Sequence, residues 1–199
     1  MIKVIKQNPN INVLKMMEKS GAVLEGHFKL TSGYHSAHYL QCAKLLQHPD
    51  LAHILADETK HVLGQSVDIE GIDMVISPAI GGIIFGYMLA YRIGTDMIYA
   101  ERKGNKMELR RGFGIEEKSK AIIAEDVITT GGSVKEVMEI CRQNRAEVIA
   151  VTSIVDRSQG VDFGVPYKFL IQLEIDNFLP SECSMCTGGV PLDIPGSRK

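Results

Sequence analysis

Between residues 72 and 155 the apolar positions come in short, nearly unbroken runs separated by stretches with helical spacing. Ile72-Asp73-Met74-Val75-Ile76, Met97-Ile98-Tyr99-Ala100, Ala121-Ile122-Ile123-Ala124 and Val148 to Val155 read as strands. Ser77-Pro78-Ala79-Ile80-Gly81-Gly82 turns into an apolar helix that stops near Gly94. A further helix runs from about Ser133, with Val134, Val137, Met138 and Cys141 on one face. Strands apolar on both faces that alternate with helices predict an α/β fold, a parallel twisted sheet flanked by helices.

The flanks follow a different pattern. Asn8-Pro9 suggests an N-cap with proline at the first helical position, and Gly21 would end that helix. Phe28 to Cys42 is rich in β-formers around Ser32-Gly33, as expected of strands joined by a turn. Pro49 opens a helix in which Leu51, Ile54, Leu55, Val62 and Leu63 recur at helical spacing before Gly64. The N-terminal segment and the tail after Pro166 do not fit the alternation and are expected to cap one edge of the sheet. The 199 residues are therefore read as a single domain, with a core over about 65–165 and a small hood from about 1–48 plus a tail of about 166–199.

Composition narrows the function. Hydrophobic residues make up 45% and charged residues 23%, and the formal net charge is -2, which argues against general affinity for nucleic acid or anionic membrane. No apolar run reaches the roughly 18 residues of a membrane span, and Met1 to Gln7 lacks the apolar centre of a signal peptide. Cys42, Cys141, Cys183 and Cys186 are too few and too uneven for a disulfide framework, so a cytoplasmic protein with reduced thiols is expected.

In a parallel sheet ligands bind beyond the carboxyl ends of the strands, where Ser77 to Gly82, Glu101 to Gly114 and Glu125 to Ser133 fall. The last of these continues the strand Ala121-Ile122-Ile123-Ala124 as Glu125-Asp126-Val127-Ile128-Thr129-Thr130-Gly131-Gly132-Ser133. Its parts suit a phosphorylated sugar. Amides of Thr130 to Ser133 at a helix N-terminus favour a phosphate, and Gly131 and Gly132 let the backbone come close. Glu125 and Asp126 can accept hydrogen bonds from vicinal ribose hydroxyls. An ordinary strand-to-helix turn would explain any one of these features, but not the whole string in this position.

The string resembles the phosphoribosyl pyrophosphate signature of the type I phosphoribosyltransferases, with Glu125 at a first acidic position that is often Asp. The resemblance implies that Val127, Ile128, Thr129, Thr130, Gly131, Gly132 and Ser133 line the phosphoribosyl pyrophosphate site beside the acids. Asp156-Arg157-Ser158-Gln159-Gly160 is similar to the Asp-Arg segment of the orotate-using members, and Phe28-Lys29-Leu30-Thr31-Ser32-Gly33 looks like their hood strand. By that likeness Arg157 would pair with the orotate carboxylate, whose two oxygens match the guanidinium fork, and Thr129 would touch the same base. The expected reaction forms orotidine 5'-monophosphate and pyrophosphate from orotate and phosphoribosyl pyrophosphate, a step of UMP synthesis. The alternatives are a purine, xanthine or uracil phosphoribosyltransferase, or a non-catalytic sensor of phosphoribosyl pyrophosphate. A dinucleotide domain is disfavoured, because Gly-x-Gly-x-x-Gly is absent from every strand-to-helix turn.

The segment from Glu101 to Gly112 carries five basic residues among twelve. A solvated hairpin would look the same, but its place at the ligand edge favours function. In the resembling family this loop closes over pyrophosphate from the neighbouring subunit of a homodimer, and Arg102, Lys103 and Lys106 match its basic positions. Loop cations and Mg2+ would stabilise the leaving oxygens, so Lys103, Glu125 and Asp126 are the expected catalytic residues.

Three positions depart from the better-known orotate enzymes: Thr31 and Gly81 stand where lysines are common, and Glu108 where histidine is common. Cys183-Ser184-Met185-Cys186 could supply half of a structural zinc site. No second Cys or His pair has matching spacing, so no metal ligand is assigned, and His35 and His38 are read as packing or surface residues.

Overall fold

The structure is a computed structural model in which residues 1–8, 10–30 and 32–195 are described. Its elements in order are strand β1 (Ile2–Gln7), helix α1 (Val13–Lys19), β2 (Val23–Lys29), β3 (His35–Leu40), α2 (Cys42–Leu46), α3 (Pro49–Gly64), β4 (Met74–Pro78) and α4 (Gly82–Ile93). They continue with β5 (Asp96–Lys103), β6 (Lys106–Leu109), β7 (Lys120–Ile128), α5 (Gly132–Gln143), β8 (Glu147–Asp156), β9 (Tyr167–Ile175), β10 (Asn177–Phe178) and α6 (Ser184–Thr187).

A seven-stranded sheet has the order β1-β9-β8-β7-β4-β5-β6. The five inner strands run parallel, while β1 and β6 close the edges antiparallel. Neighbouring residues of the central strands feed opposite faces, as the strand period of two requires. Val75 and Ile122 pack with Leu55 of α3 and with Phe85 and Leu89 of α4, whereas Ile76 and Ile123 pack with Val134, Val137 and Cys141 of α5. Burial on both faces explains why these strands are unbroken apolar runs.

After β4 the chain crosses to β5 on one side, and after β7 it crosses to β8 on the other. The pairing of Met74 with Ala121 and Ile76 with Ile123 makes the carboxyl ends of β4 and β7 neighbours. This is a topological switch point, the crevice where parallel sheets bind ligands.

A second sheet, β10-β3-β2, forms the hood. Its hairpin turns where Ser32-Gly33 was expected to turn, with Gly33 at φ +87° and its N–H on the Leu30 carbonyl at 2.9 Å. The hood is smaller than the sequence suggests. β1 and β9, both in stretches assigned to it, belong to the main sheet. β1 escapes sequence reading because it is an edge strand whose four middle residues are exposed. The expected cap also moves: Asn12 accepts from the Lys15 N–H at 2.9 Å and begins α1, while Asn8 accepts from the Asn10 N–H in a local turn. Pro9 lies outside the described residues, as do Thr31 and residues 196–199. Among the described residues no helix is long and apolar enough to cross a membrane.

Candidate active site

Glu125 and Asp126 lie near the carboxyl end of β7, before Val127 and Ile128 complete the strand. The Asp126 carboxylate accepts from the Val127 N–H at 2.8 Å, and the Asp126 N–H points at Glu125 Oε1 at 3.3 Å. Burial pushes the Glu125 carboxyl well above its ordinary range, with the Asp126 charge adding to the effect, and burial raises Asp126 as well. Neither acid has a Lys or Arg ion-pair partner among the described residues. Two such groups are relieved by hydroxyl donors or by a cation.

Val127 and Ile128, expected at the ligand, turn their side chains into the core, so only their backbone is available to it. The chain then opens to solvent at Thr129 and Thr130, and α5 begins at Gly132. Gly131 at the N-cap has no side chain to cap that helix, and the Gly132 N–H makes only a long bond to Thr130 Oγ1 at 3.4 Å, so the first turn's amides and dipole face the loop. Gly131 is required twice over. Its φ is +74°, and a Cβ there would lie 2.9 Å from the Phe163 ring. Ser133 is half-buried in the first turn.

The β4–α4 loop closes the other side of the crevice. A Cβ on Gly81 would fall 2.7 Å from one carboxylate oxygen of Asp126 and 2.8 Å from the other, and one on Gly82 would fall 2.8 Å from the Ala124 carbonyl oxygen. Gly81 was noted only as a missing lysine. It is the position that lets the two loops touch, and a side chain there collides with Asp126. The peptide between Ala79 and Ile80 is cis.

Arg157 follows β8, and its N–H donates to the Ile128 carbonyl at 2.8 Å. The neighbouring Asp156 does not neutralise it. That carboxylate accepts instead from the Ser158 N–H and from Gln172 Nε2, both at 2.9 Å. The buried Arg157 Nε has no hydrogen-bond partner among the described residues. Burial lowers the Arg157 pKa, while the Tyr39 phenol opposes the shift. The Tyr39 pKa is raised by burial and by Asp126 and lowered by Arg157. Tyr39 of β3 thus belongs electrostatically to the site, and sequence reading missed it. The only available signal was an aromatic residue in the second hood strand.

The basic segment is the hairpin β5–β6. Arg102 is bound within the chain, to Glu136 of α5 at 2.7 Å and to the Asn105 carbonyl at 3.0 Å. Arg111 holds Glu101 at 2.9 Å. Lys103 and Lys106 face each other in register at the turn, exposed and without an ion-pair partner among the described residues. No ion pair or hydrogen bond among the described residues joins either lysine to Asp126, and β6 lies three places along the sheet from β7.

Away from the crevice, His27, His35, Cys183 and Cys186 present four ligand atoms all within 4.8 Å of one another. The sequence reading found no second pair of ligand residues, and the structure brings one beside the cysteines. The partner pair is His27 and His35, brought together from two hood strands rather than by close spacing.

The chain matches the phosphoribosyl transferase domain family over residues 42–179. It is 51% identical to the orotate phosphoribosyltransferase of Caldicellulosiruptor bescii, over 94% of this chain and 96% of that protein. It is 43% identical to the protein of the same name from Thermotoga maritima, over 94% and 98%. The crystal structure of orotate phosphoribosyltransferase from Aeropyrum pernix superposes with a TM-score of 0.70 at 28% identity, covering 81% of this chain and 93% of the other. With the acid pair, the glycine loop and the fold in agreement, the chain belongs to the phosphoribosyl transferase family and, within it, to the orotate phosphoribosyltransferases.

Proposed function

We propose that the protein transfers the phosphoribosyl group of phosphoribosyl pyrophosphate to orotate, giving orotidine 5'-monophosphate and pyrophosphate in UMP synthesis. The observation that carries this reading is Arg157, a half-buried arginine beside the phosphoribosyl loop whose buried Nε has no hydrogen-bond partner and whose guanidinium has no carboxylate partner among the described residues. A buried charge left open is costly unless a ligand completes it, and a base bearing a carboxylate does so with two hydrogen bonds at once. Uracil, adenine and hypoxanthine carry no such group.

The amides of Thr130 to Ser133 and the N-terminus of α5 would hold the 5'-phosphate, and Glu125 and Asp126 the ribose hydroxyls. These acids also fit a divalent cation, because burial disfavours their charge and no basic side chain pairs with them among the described residues. Mg2+ bound with phosphoribosyl pyrophosphate would offset charge on the departing pyrophosphate. Positive charge develops at the ribose carbon as that bond breaks, and carboxylates holding the ribose hydroxyls would stabilise it. A ring nitrogen of orotate then forms the new bond.

The assembly that fits this chemistry is a homodimer. Tyr87 and Tyr91 of α4 are 64% and 68% exposed, beside exposed Ile80 and Ile84, an apolar surface suited to a second copy. Lys103 and Lys106, without an ion-pair partner among the described residues, would then reach the partner's pyrophosphate. A cytoplasmic location fits cysteines that are all free.

A base panel tests the substrate. With phosphoribosyl pyrophosphate and Mg2+ present, pyrophosphate release should require orotate and not occur with uracil, xanthine, hypoxanthine or adenine. Release with one of those bases and none with orotate would reject the reading.

A further inference from the structure

We propose that His27, His35, Cys183 and Cys186 bind one zinc ion, which ties the C-terminal tail to the hood. The atoms already stand near the corners of a tetrahedron. His27 Nε2 lies 2.9 Å from His35 Nδ1, Cys183 Sγ lies 3.4 Å from His27 Nε2, and Cys186 Sγ lies 3.3 Å from His35 Nδ1 and 3.6 Å from His27 Nε2. Zinc bonds of about 2.0–2.1 Å to nitrogen and about 2.3 Å to sulfur give tetrahedral edges of roughly 3.3–3.8 Å. To hold the ion the two imidazoles part slightly and the longest separation, within 4.8 Å, closes toward a tetrahedral edge.

The tautomer agrees. His27 Nδ1 lies 2.8 Å from the Val190 carbonyl oxygen, which can only accept, so Nδ1 carries the proton. Nε2 therefore turns its lone pair to the cluster, as in metal-binding histidines whose second nitrogen is held by a carbonyl. His27, His35 and Cys183 are buried. Two thiolates and two imidazoles select zinc over magnesium, which prefers oxygen.

The tail gives an independent reason. α6 and the 3-10 turn before it contain no buried residue, and Val190, Leu192 and Ile194 are exposed. Yet Asp193 pairs with β2, accepting from the Lys29 N–H at 2.9 Å and donating to the His27 carbonyl at 2.8 Å. A segment with almost no core of its own is held in a defined place, the situation in which small folds rely on a metal or a disulfide. The consequence reaches the crevice, because β3 carries His35 at one end and Tyr39 near the other.

The test begins with untagged protein purified without chelators or added metal. Elemental analysis should find about one zinc per chain. Cobalt exchanged into the site should show the intense visible bands and sulfur-to-metal charge transfer of a tetrahedral thiolate centre. Cys186→Ser and His35→Gln should each lower bound zinc at least about tenfold. Stripping zinc from the wild type should lower the melting temperature and speed hydrogen exchange in β2, β3 and 183–193, while β7 and β8 stay protected. If a variant fails to fold, the cobalt spectrum and the stripped wild type decide. Reduced protein that neither contains nor takes up zinc would overturn the proposal. So would cobalt bound without thiolate bands, zinc retained in both variants, or a Cys183–Cys186 disulfide in the freshly isolated chain.

Discussion

The Arg157 N–H donates to the Ile128 carbonyl at 2.8 Å, so the residue after β8 is tied to the last residue of β7. Thr129, the next residue along β7's exit, opens the phosphate loop. One backbone bond therefore sets the distance between the proposed base carboxylate and the proposed sugar phosphate. Asp156 reinforces it by holding Ser158 and Gln172, which leaves the guanidinium for a ligand.

Arg157→Lys should keep the charge and lose the fork. A charge-assisted hydrogen bond contributes about 1.5–3 kcal/mol, so kcat/KM for orotate should fall about 10- to 100-fold. The KM for phosphoribosyl pyrophosphate should barely move. Steady-state kinetics on both substrates check this, and equal losses for the two would make Arg157 a structural residue.

Glu125 predicts a pH effect of definite sign. Its carboxyl is held well above the ordinary 4.5 by burial, with Asp126 adding to the shift. The folded state thus binds a proton more tightly than the unfolded chain. Its contribution favours the fold below about 4.5 and is lost as pH rises from there through the folded value. Glu125→Gln should remove that loss. It should melt a few degrees above the wild type at neutral pH, match it near pH 4, and lose activity. A variant that melts no higher at neutral pH would show that the carboxylate is compensated in the free protein.

Gly81→Ala should act through Asp126. The added methyl would sit within 2.9 Å of all three carboxyl atoms, and the backbone there is ordinary helical. The carboxylate must shift, and a displacement of this size in a positioned group should cost about tenfold or more in kcat/KM for phosphoribosyl pyrophosphate. Circular dichroism should be unchanged. Normal kinetics would mean that the position of Asp126 is not critical.

How legible the molecule was depends on what each feature is made of. The parallel core could be read because burial on both faces writes itself as apolar runs, as in Ala121 to Ala124. The loop Thr129 to Ser133 could be read because a tight turn from strand into helix demands glycine at a fixed offset, and Gly131 has the φ to match. Edge strand β1 left no pattern, since little of it is buried. Contacts between distant segments left none either. Nothing in the chain brings the charge of Asp126 to bear on Tyr39, or sets His27 beside Cys183 across 156 residues.

Shared sites can be tested by mixing. Lys103→Ala lacks the hairpin cation and Asp126→Asn the sugar carboxylate, and each should be nearly inactive alone. If Lys103 acts on the partner's site, a mixed dimer has one site with both lesions and one with neither. Random exchange makes about half the dimers mixed, so activity should recover to about a quarter of wild type. If the hairpin serves its own chain, no site escapes a lesion and verified exchange restores nothing.

The most direct measurement is the identity of the product. Purified protein should be incubated with orotate, phosphoribosyl pyrophosphate and Mg2+, and the mixture resolved by mass spectrometry beside the folded Asp126→Asn variant. The expected result is orotidine 5'-monophosphate and pyrophosphate in equal amounts from the wild type, with most of the yield lost in the variant. Failure of the wild type to form orotidine 5'-monophosphate, while it joins another base to the same sugar phosphate, would contradict the assignment.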